Sequence, residues 1–191
     1  MRLHPAPRHS LTVVVRRDDP RVLAQVAREL THRPLEAERL DLRWEGDGGA
    51  VLVQLCGSSV PERAAAVDGD VVEDDEALWA AQRAAQRGPV VLRVSTTQQG
   101  LADVLAVARE HGAVCVARAA LGLAWLRFEA ADAERVGALR ARLGTCVLLD
   151  APAELRGEVD PWGPLSAEPL MRRVKARFDP YDTLNPGLLL T

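Results

Sequence analysis

Apolar and polar residues follow two different periods along the chain, and these periods predict strands and helices. Between residues 40 and 45 apolar positions alternate with charged ones, which is typical of a strand with one buried face. Near the end, Leu170, Val174 and Phe178 are spaced four residues apart, which is typical of an amphipathic helix. The same reasoning predicts seven strands, at 11–16, 40–44, 50–56, 90–95, 113–117, 121–128 and 145–149.

Helices are predicted between these strands. The string Asp18-Asp19-Pro20 indicates the start of a helix that runs to about His32, because Asp is a common N-cap and Pro suits the first turn. A cluster of acidic residues at 73–76 precedes a helix around Leu78 and Trp79, where negative charge complements the helix dipole. Further helices are predicted at 99–112, 132–143 and 170–178.

A short repeat indicates how these elements are organised. The string Val26-Ala27-Arg28-Glu29 recurs at 107–110, and each copy lies in a helix that precedes a hairpin. The order βαββαβ followed by αββαβ predicts an α+β fold made of two duplicated ferredoxin-like halves. We expect one antiparallel sheet of about seven strands with the helices on one face, followed by an extended arm at 151–169 and a basic terminal helix.

Composition narrows the classes of function. The net charge of -3 does not favour nucleic-acid binding, and the chain lacks the run of about 18 apolar residues that a membrane span needs. Cys56, Cys115 and Cys146 lie far apart in apolar runs, which indicates reduced thiols and a cytoplasmic protein. The four histidines do not cluster, so no metal site is predicted. The sequence also offers no nucleophile with a neighbouring base, and no catalytic residue is assigned.

The C-terminal string carries a resemblance. A helix ending in Phe178-Asp179-Pro180 is followed by Leu184-Asn185-Pro186-Gly187. This pattern resembles the C-terminal signature of FAD-linked oxidases of the vanillyl-alcohol oxidase type, and within that family the chain is most similar to the C-terminal half of glycolate oxidase E subunits. The family usually has Lys or Arg after the glycine, whereas this chain has Leu188.

The resemblance implies a division of the chain. Residues 1–10 would be the remnant of a linker from an absent FAD-binding domain, 11–150 a cap or substrate domain, and 151–191 an arm, a basic helix and a tail that returns to the flavin domain. Asn185, Pro186 and Gly187 would then lie near the cofactor. FAD is expected in the complete enzyme and not on this chain alone. The implied partners are the FAD-binding domain, other glycolate oxidase subunits and a 2-hydroxy acid.

Strand alternation predicts which polar side chains face away from the helices. If Leu42 and Trp44 face the helices, Arg43 faces the other way, and the same parity turns Arg93 outward. Trp125 and Arg127 share one face of their strand, whereas the parity of Arg118 is ambiguous. Because guanidinium groups bind carboxylates through two parallel hydrogen bonds, a substrate site is predicted at Arg43, Arg93, Arg127 and Trp125.

Three functions therefore stay open. The first is the cap domain of an FAD-dependent 2-hydroxy-acid oxidoreductase, inactive as an isolated chain. The second is a non-catalytic ferredoxin-like interaction or assembly module of a multi-subunit oxidase, and the third is a sensor of small ligands. A concave group of arginines on the outward face of the sheet would favour the first function, whereas a flat apolar face would favour the second.

Overall fold

The computed structural model describes residues 10–57 and 59–186, and within these ranges the chain forms eight strands and seven α-helices. The strands are β1 (Ser10–Arg17), β2 (Arg39–Glu45), β3 (Gly48–Cys56), β4 (Asp70–Val72), β5 (Val90–Ser95), β6 (Val114–Arg118), β7 (Leu123–Phe128) and β8 (Cys146–Asp150). The helices are α1 (Pro20–His32), α2 (Val60–Ala65), α3 (Glu76–Ala84), α4 (Leu101–Glu110), α5 (Ala133–Leu143), α6 (Ala153–Glu158) and α7 (Glu168–Phe178).

All eight strands lie in one antiparallel sheet, in the order β4-β1-β3-β2-β6-β7-β5-β8. The first four strands form one half of the sheet and the last four form the other. The two halves meet where β2 pairs with β6, with Leu42 opposite Ala117. Counted outward from this junction, both halves have the same order of strands: second, third, first, fourth. The predicted α+β class and the single antiparallel sheet are confirmed.

The strand count differs from the prediction of about seven. The additional strand, β4, has only three residues, which pair with β1 through Thr12 and Val14. A three-residue strand is too short to show a period of two, so the pattern of apolar residues gave no signal for it. Ser10, which was expected to belong to the linker at 1–10, already lies in β1, and residues 1–9 lie outside the described part of the chain.

Helix α1 begins and ends where the sequence predicts. The Asp19 side chain accepts hydrogen bonds from the backbone N–H groups of Arg21 and Val22, at 2.8 and 2.9 Å, and Pro20 opens the first turn. Leu23, Ala27 and Leu30 recur on one side of the helix, and all three are buried against the sheet. The cap thus fixes the start of the helix while the apolar side fixes its orientation.

The main core lies between one face of the sheet and a layer that contains α1, α4 and α5. Trp44, Leu92 and Leu126 project from the sheet into this core and are completely buried. Leu105 of α4 and Leu139 of α5 pack against the same core. We call this side of the sheet the packed face. Burial of these side chains is the main source of stability, at about 1.5–3 kcal/mol for each large apolar residue removed from water.

The prediction that the helices cover only one face is wrong, because α3 lies on the other side of the sheet. Along β1, Val13 and Val15 belong to the main core, whereas Val14 packs in a separate cluster with Leu52 and Trp79. Neighbouring residues of a strand point to opposite faces, so Trp79 and its helix are on the side that α1 does not cover. We call this side the open face.

The C-terminal segment is less extended than predicted, because the expected arm at 151–169 contains α6. Beyond α6 the chain runs beside β8, where the Leu148 N–H donates to the Pro161 carbonyl at 2.7 Å. The Arg140 guanidinium also donates to the carbonyls of Asp160 and Pro161. Helix α7 follows, and none of its residues is buried. None of the helices in the described ranges is long and apolar enough to cross a bilayer.

Candidate functional site

The four residues predicted to bind substrate lie on the open face, as their strand parity requires. Arg43, Trp125 and Arg93 occupy one row across the sheet, because Arg43 pairs with Val116, Val116 with Trp125, and Trp125 with Arg93. Arg127 lies on the same face, opposite Val114. Adjacent strands are about 4.8 Å apart, so Arg43 and Arg93 are separated by roughly 14 Å of sheet. The predicted residues share a face but do not converge on one point.

Two of these arginines have acidic neighbours nearby in the sequence. The Arg43 guanidinium donates to Glu45 at 2.6 Å, and Arg127 lies 3.7 Å from Glu129. The Nε atoms of Arg43, Arg93 and Arg127 are buried without a hydrogen-bond partner. Gly88 passes directly over Arg127, since a Cβ atom at that position would lie 2.6 Å from the Arg127 Cγ. The stems of these arginines are thus partly covered, and their role in binding stays a prediction.

A cleft of about 920 Å³ lies on the open face between α3 and the sheet, and we call it the α3 cleft. It crosses the junction of β2 and β6 and extends towards the end of β8. Trp125 is the only one of the four predicted residues in its walls. The cleft is lined by Ala37, Glu38, Arg39, Leu40, Asp41, Trp79, Gln82, Arg83, Gln86, Arg87, Arg118, Ala120, Leu121, Trp125, Leu149 and Asp150.

A buried polar network fixes α3 to the open face. The Thr12 hydroxyl donates to the Asp75 carboxylate at 2.6 Å, and the Gln54 amide donates to the same oxygen at 2.9 Å. The Trp79 indole N–H donates to the Thr12 hydroxyl at 2.8 Å. Asp75 immediately precedes the helix, and its side chain bonds to the sheet and not to the first N–H groups of α3. The network therefore ties the start of α3 to β1 and β3 and holds Trp79 in the cleft wall.

Four arginines surround the cleft, and among the described residues none of them has an ion pair or a side-chain hydrogen bond. The Arg39 guanidinium lies over the Trp79 ring at 5.2 Å, and the Arg118 guanidinium lies over the Trp125 ring at 5.4 Å. Each contact is worth about 0.5–1 kcal/mol at an exposed site and leaves the guanidinium donors unused. Arg83 and Arg87 come from the end of α3 and from the loop after it, and complete the set.

Gln82 and Asp41 form the polar floor of the cleft. Gln82 is only 1% exposed, and its Nε2 donates to the Leu42 carbonyl at 3.2 Å and approaches the Asp41 carboxylate at 3.5 Å. The Gln82 Oε1 atom is buried and accepts no hydrogen bond. Burial raises the pKa of Asp41 above its usual value, although the Gln82 hydrogen bond and the charges of Arg118 and Arg39 act in the opposite direction.

The string that carries the family resemblance forms a tight loop after α7. The Asp179 carboxylate accepts hydrogen bonds from the Lys175 ammonium, the backbone and hydroxyl of Thr183, and the Leu184 N–H, at 2.8–2.9 Å. The Lys175 ammonium, followed by the Leu184 N–H, holds the pKa of Asp179 well below its usual value. Asp179 therefore has a structural role in this loop, whatever binds to the tail.

The predicted cofactor residues lie at the end of this loop. Asn185 and Pro186 are exposed, and Gly187 lies outside the described residues. Neither of the two exposed residues lines the α3 cleft. Their exposure leaves these two residues available to a partner that carries the cofactor, and their position near FAD stays a prediction. Residues 10–57 and 59–186 contain no group of three His, Cys, Asp or Glu side chains that could hold a metal ion.

Sequence reasoning missed most of the α3 cleft. Arg118 has an ambiguous parity, and Asp41, which shares the parity of Arg43 in its strand, has no role that the sequence indicates. Arg83 and Arg87 follow Trp79 at four-residue steps, which was an available signal for one cationic side of α3. This signal could not be used without knowing that α3 covers the open face.

In comparisons with known proteins, the chain matches no protein-family model and no curated protein.

Proposed function

We propose that this chain is the substrate-binding cap domain of an FAD-dependent 2-hydroxy-acid oxidoreductase similar to the glycolate oxidase E subunit. The observation that carries the proposal is the α3 cleft, whose four arginines form no close ion pair within residues 10–57 and 59–186. Such groups bind carboxylates strongly. In this assignment the flavin belongs to a separate domain and supplies the redox chemistry, while this chain binds and orients the acid and limits access of water. No catalytic residue of this chain is part of the proposal.

The terminal helix supports a partner domain. Leu170, Val174 and Phe178 are 53%, 50% and 80% exposed, and Tyr181 continues the apolar surface beyond the helix. An amphipathic helix normally buries its apolar side, so this one lacks its expected cover. In the proposed enzyme the FAD-binding domain covers it, and the Asp179 loop presents Asn185 and Pro186 to that domain. A cytoplasmic location belongs to the same proposal, and the three free cysteines agree with it.

The proposal includes a duplicated ferredoxin-like architecture. The identical order of strands in the two halves supports it. So do the helices of the sequence repeat, since Leu23 and Ala27 in α1 and their counterparts Val104 and Ala108 in α4 are buried to a similar degree. The two helices also pack against each other across the junction.

A second candidate function is a non-catalytic assembly module within a multi-subunit oxidase. The exposed apolar side of α7 favours it, because that surface needs a protein partner in either case. The unpaired arginines distinguish the two functions, since an assembly module has no need of a concave anion site beside α3.

The test joins this chain to the FAD-binding domain, either by including the sequence encoded before Met1 or by adding a separately encoded domain. We expect only the joined form to be yellow and to reduce a dye when a 2-hydroxy acid is supplied. A joined form that is yellow but does not respond to any 2-hydroxy acid would favour the assembly module. A joined form without flavin would contradict the cap-domain proposal and would also favour the assembly module.

A matched pair of variants tests the role of α7. Phe178→Ala should weaken association with the FAD-binding domain by about 10-fold or more, since a buried aromatic anchor contributes more than 1 kcal/mol. Arg173→Ala, which changes an exposed residue of the same helix, should have little effect. Both isolated variants should unfold like the original chain, because neither residue is buried. Equal association of the two variants would show that the apolar side of α7 is not the contact.

A further inference from the structure

The charges around the α3 cleft determine the sign of its ligand. Arg39, Arg83, Arg87 and Arg118 contribute four positive charges, whereas the acids of the wall are Glu38, Asp41 and Asp150. In the part of the chain that the structure describes, none of these four arginines belongs to an ion pair. A carboxylate would therefore find guanidinium donors that need not first be released from another partner.

The Gln82 side chain determines a second property of the ligand. Its Oε1 atom is buried and unpartnered while its Nε2 atom is already engaged with Leu42 and Asp41. Leaving a buried acceptor without a hydrogen bond is unfavourable, and in binding it lowers affinity by about 10-fold or more. A ligand that brings a hydroxyl or amine to this atom removes the penalty, whereas a ligand without a donor leaves it in place.

The size and rim of the cleft determine a third property. Its volume of about 920 Å³ lies within the range of sites that hold drug-sized ligands, and a two-carbon acid would leave much of it to water. Trp125 is half-buried in the wall, and Leu121 and Leu149 are exposed beside it. These three side chains offer apolar contact to a ring or a branched chain.

The geometry points to the α3 cleft as the site of a carboxylic acid that carries a hydroxyl next to the carboxylate and an apolar ring or branched chain beyond it. The carboxylate binds Arg118 and its neighbouring arginines, the hydroxyl donates to Gln82, and the apolar group contacts Trp125 and Leu121. This inference rests on the proposed function for the choice of a hydroxy acid. It goes further in locating the site beside α3 rather than at Arg43, Arg93 and Arg127, and in requiring a bulky acid.

Four probes separate these requirements in the full chain. Mandelate has all three features, phenylacetate lacks the hydroxyl, glycolate lacks the ring, and methyl mandelate lacks the charge. Binding is measured by titration calorimetry and by the change in tryptophan fluorescence, because Trp79 and Trp125 lie in the wall. We expect mandelate to bind about 10-fold or more tightly than each of the other three. If mandelate binds no more tightly than methyl mandelate or glycolate, the inference is wrong.

Variants of the chain locate the site. Arg118→Ala changes an exposed side chain and should lower mandelate affinity by about 10-fold or more. Gln82→Met keeps the volume of the side chain and should abolish the preference for mandelate over phenylacetate. Arg16→Ala, on the same face of the sheet but away from the cleft, is the matched control and should bind normally. Circular dichroism checks that each variant is folded.

The outcomes separate this inference from the proposed function. If the variants lower affinity as expected but the joined form never binds flavin, the cleft is an acid-binding site and the oxidoreductase proposal fails. If the joined form oxidises glycolate while Arg118→Ala and Gln82→Met change neither affinity nor the Michaelis constant, the function stands and the location of the site is wrong. If Arg93→Ala abolishes mandelate binding while Arg118→Ala leaves it unchanged, the site lies at the row of Arg43, Trp125 and Arg93 and not in the α3 cleft.

Discussion

The packed face and the open face of the sheet differ in how much capacity for further contacts and hydrogen bonds their side chains retain. On the packed face, Trp44, Leu92 and Leu126 are buried among the helices. On the open face α3 covers part of the surface, and arginines line the cleft beside it. Stability depends mainly on the first face. Recognition of a ligand is expected on the second, where unpaired groups can still acquire partners.

The neighbouring residues Leu126 and Trp125 test this difference within one strand. Leu126→Ala should lower the free energy of unfolding by about 2–5 kcal/mol, because it leaves a cavity in the main core. Trp125→Ala should lower it by only about 1 kcal/mol, since the ring is half-buried and its contact with Arg118 is weak. Urea unfolding followed by circular dichroism gives both values. Similar losses would mean that the two faces are equally important for stability.

The Asp75 network tests how firmly α3 is held to the open face. Asp75→Ala should lower the free energy of unfolding by about 2 kcal/mol, because it leaves the Thr12 hydroxyl and the Gln54 amide buried without their acceptor. It should also weaken any binding in the α3 cleft, since Trp79 and Gln82 belong to that helix. Glu73→Ala, an exposed acid three residues from the start of α3, is the control and should change stability little. A fully stable Asp75→Ala protein would show that the network does not anchor the helix.

Asp41 tests the electrostatics of the open face through pH. Burial raises the pKa of this carboxyl in the folded state above its value in the unfolded chain. Its favourable contribution is therefore complete below the unfolded pKa and is lost as pH rises through the folded pKa. Asp41→Asn should thus be more stable than the original chain at neutral pH, and the difference should vanish near pH 3. Urea midpoints between about pH 3 and pH 8 measure this. A variant that is less stable at neutral pH would mean that Arg118 and Arg39 outweigh the burial.

The pair Arg16 and Asp70 should show the smallest effect. This ion pair joins β1 to β4 at the surface, and both side chains are mostly exposed. Replacing Arg16 with Ala should change the free energy of unfolding by about 0.5 kcal/mol or less, and the effect should decrease with added salt. Thermal unfolding at low and high salt checks it. A loss above about 1 kcal/mol would show that this edge of the sheet is more constrained than its exposure indicates.

The sequence predicts local elements well and their mutual arrangement poorly. The alternation around Leu42 and the cap at Asp19 are local signals, and both the strand and the helix start were predicted correctly. The side of the sheet that α3 covers depends on a hydrogen bond between Thr12 and Asp75, which are 63 residues apart in the chain. No periodic pattern contains that information. The facing of Arg93 could be predicted from parity, but the convergence of Arg118 with Arg83 required the position of α3.

The junction of β2 and β6 gives the α3 cleft a mechanical consequence. Among the described strands, the two halves of the sheet are joined only by this pair, over the four residue pairs from Asp41–Arg118 to Trp44–Cys115. Asp41 and Arg118 both belong to the wall of the cleft. A ligand that contacts residues of both halves therefore acts as a clamp across the seam. Pulling the two ends of the chain apart should require more force when a ligand fills the cleft. As ligand is added, amide hydrogen exchange should become slower in β2 and β6 before it becomes slower in the outer strands.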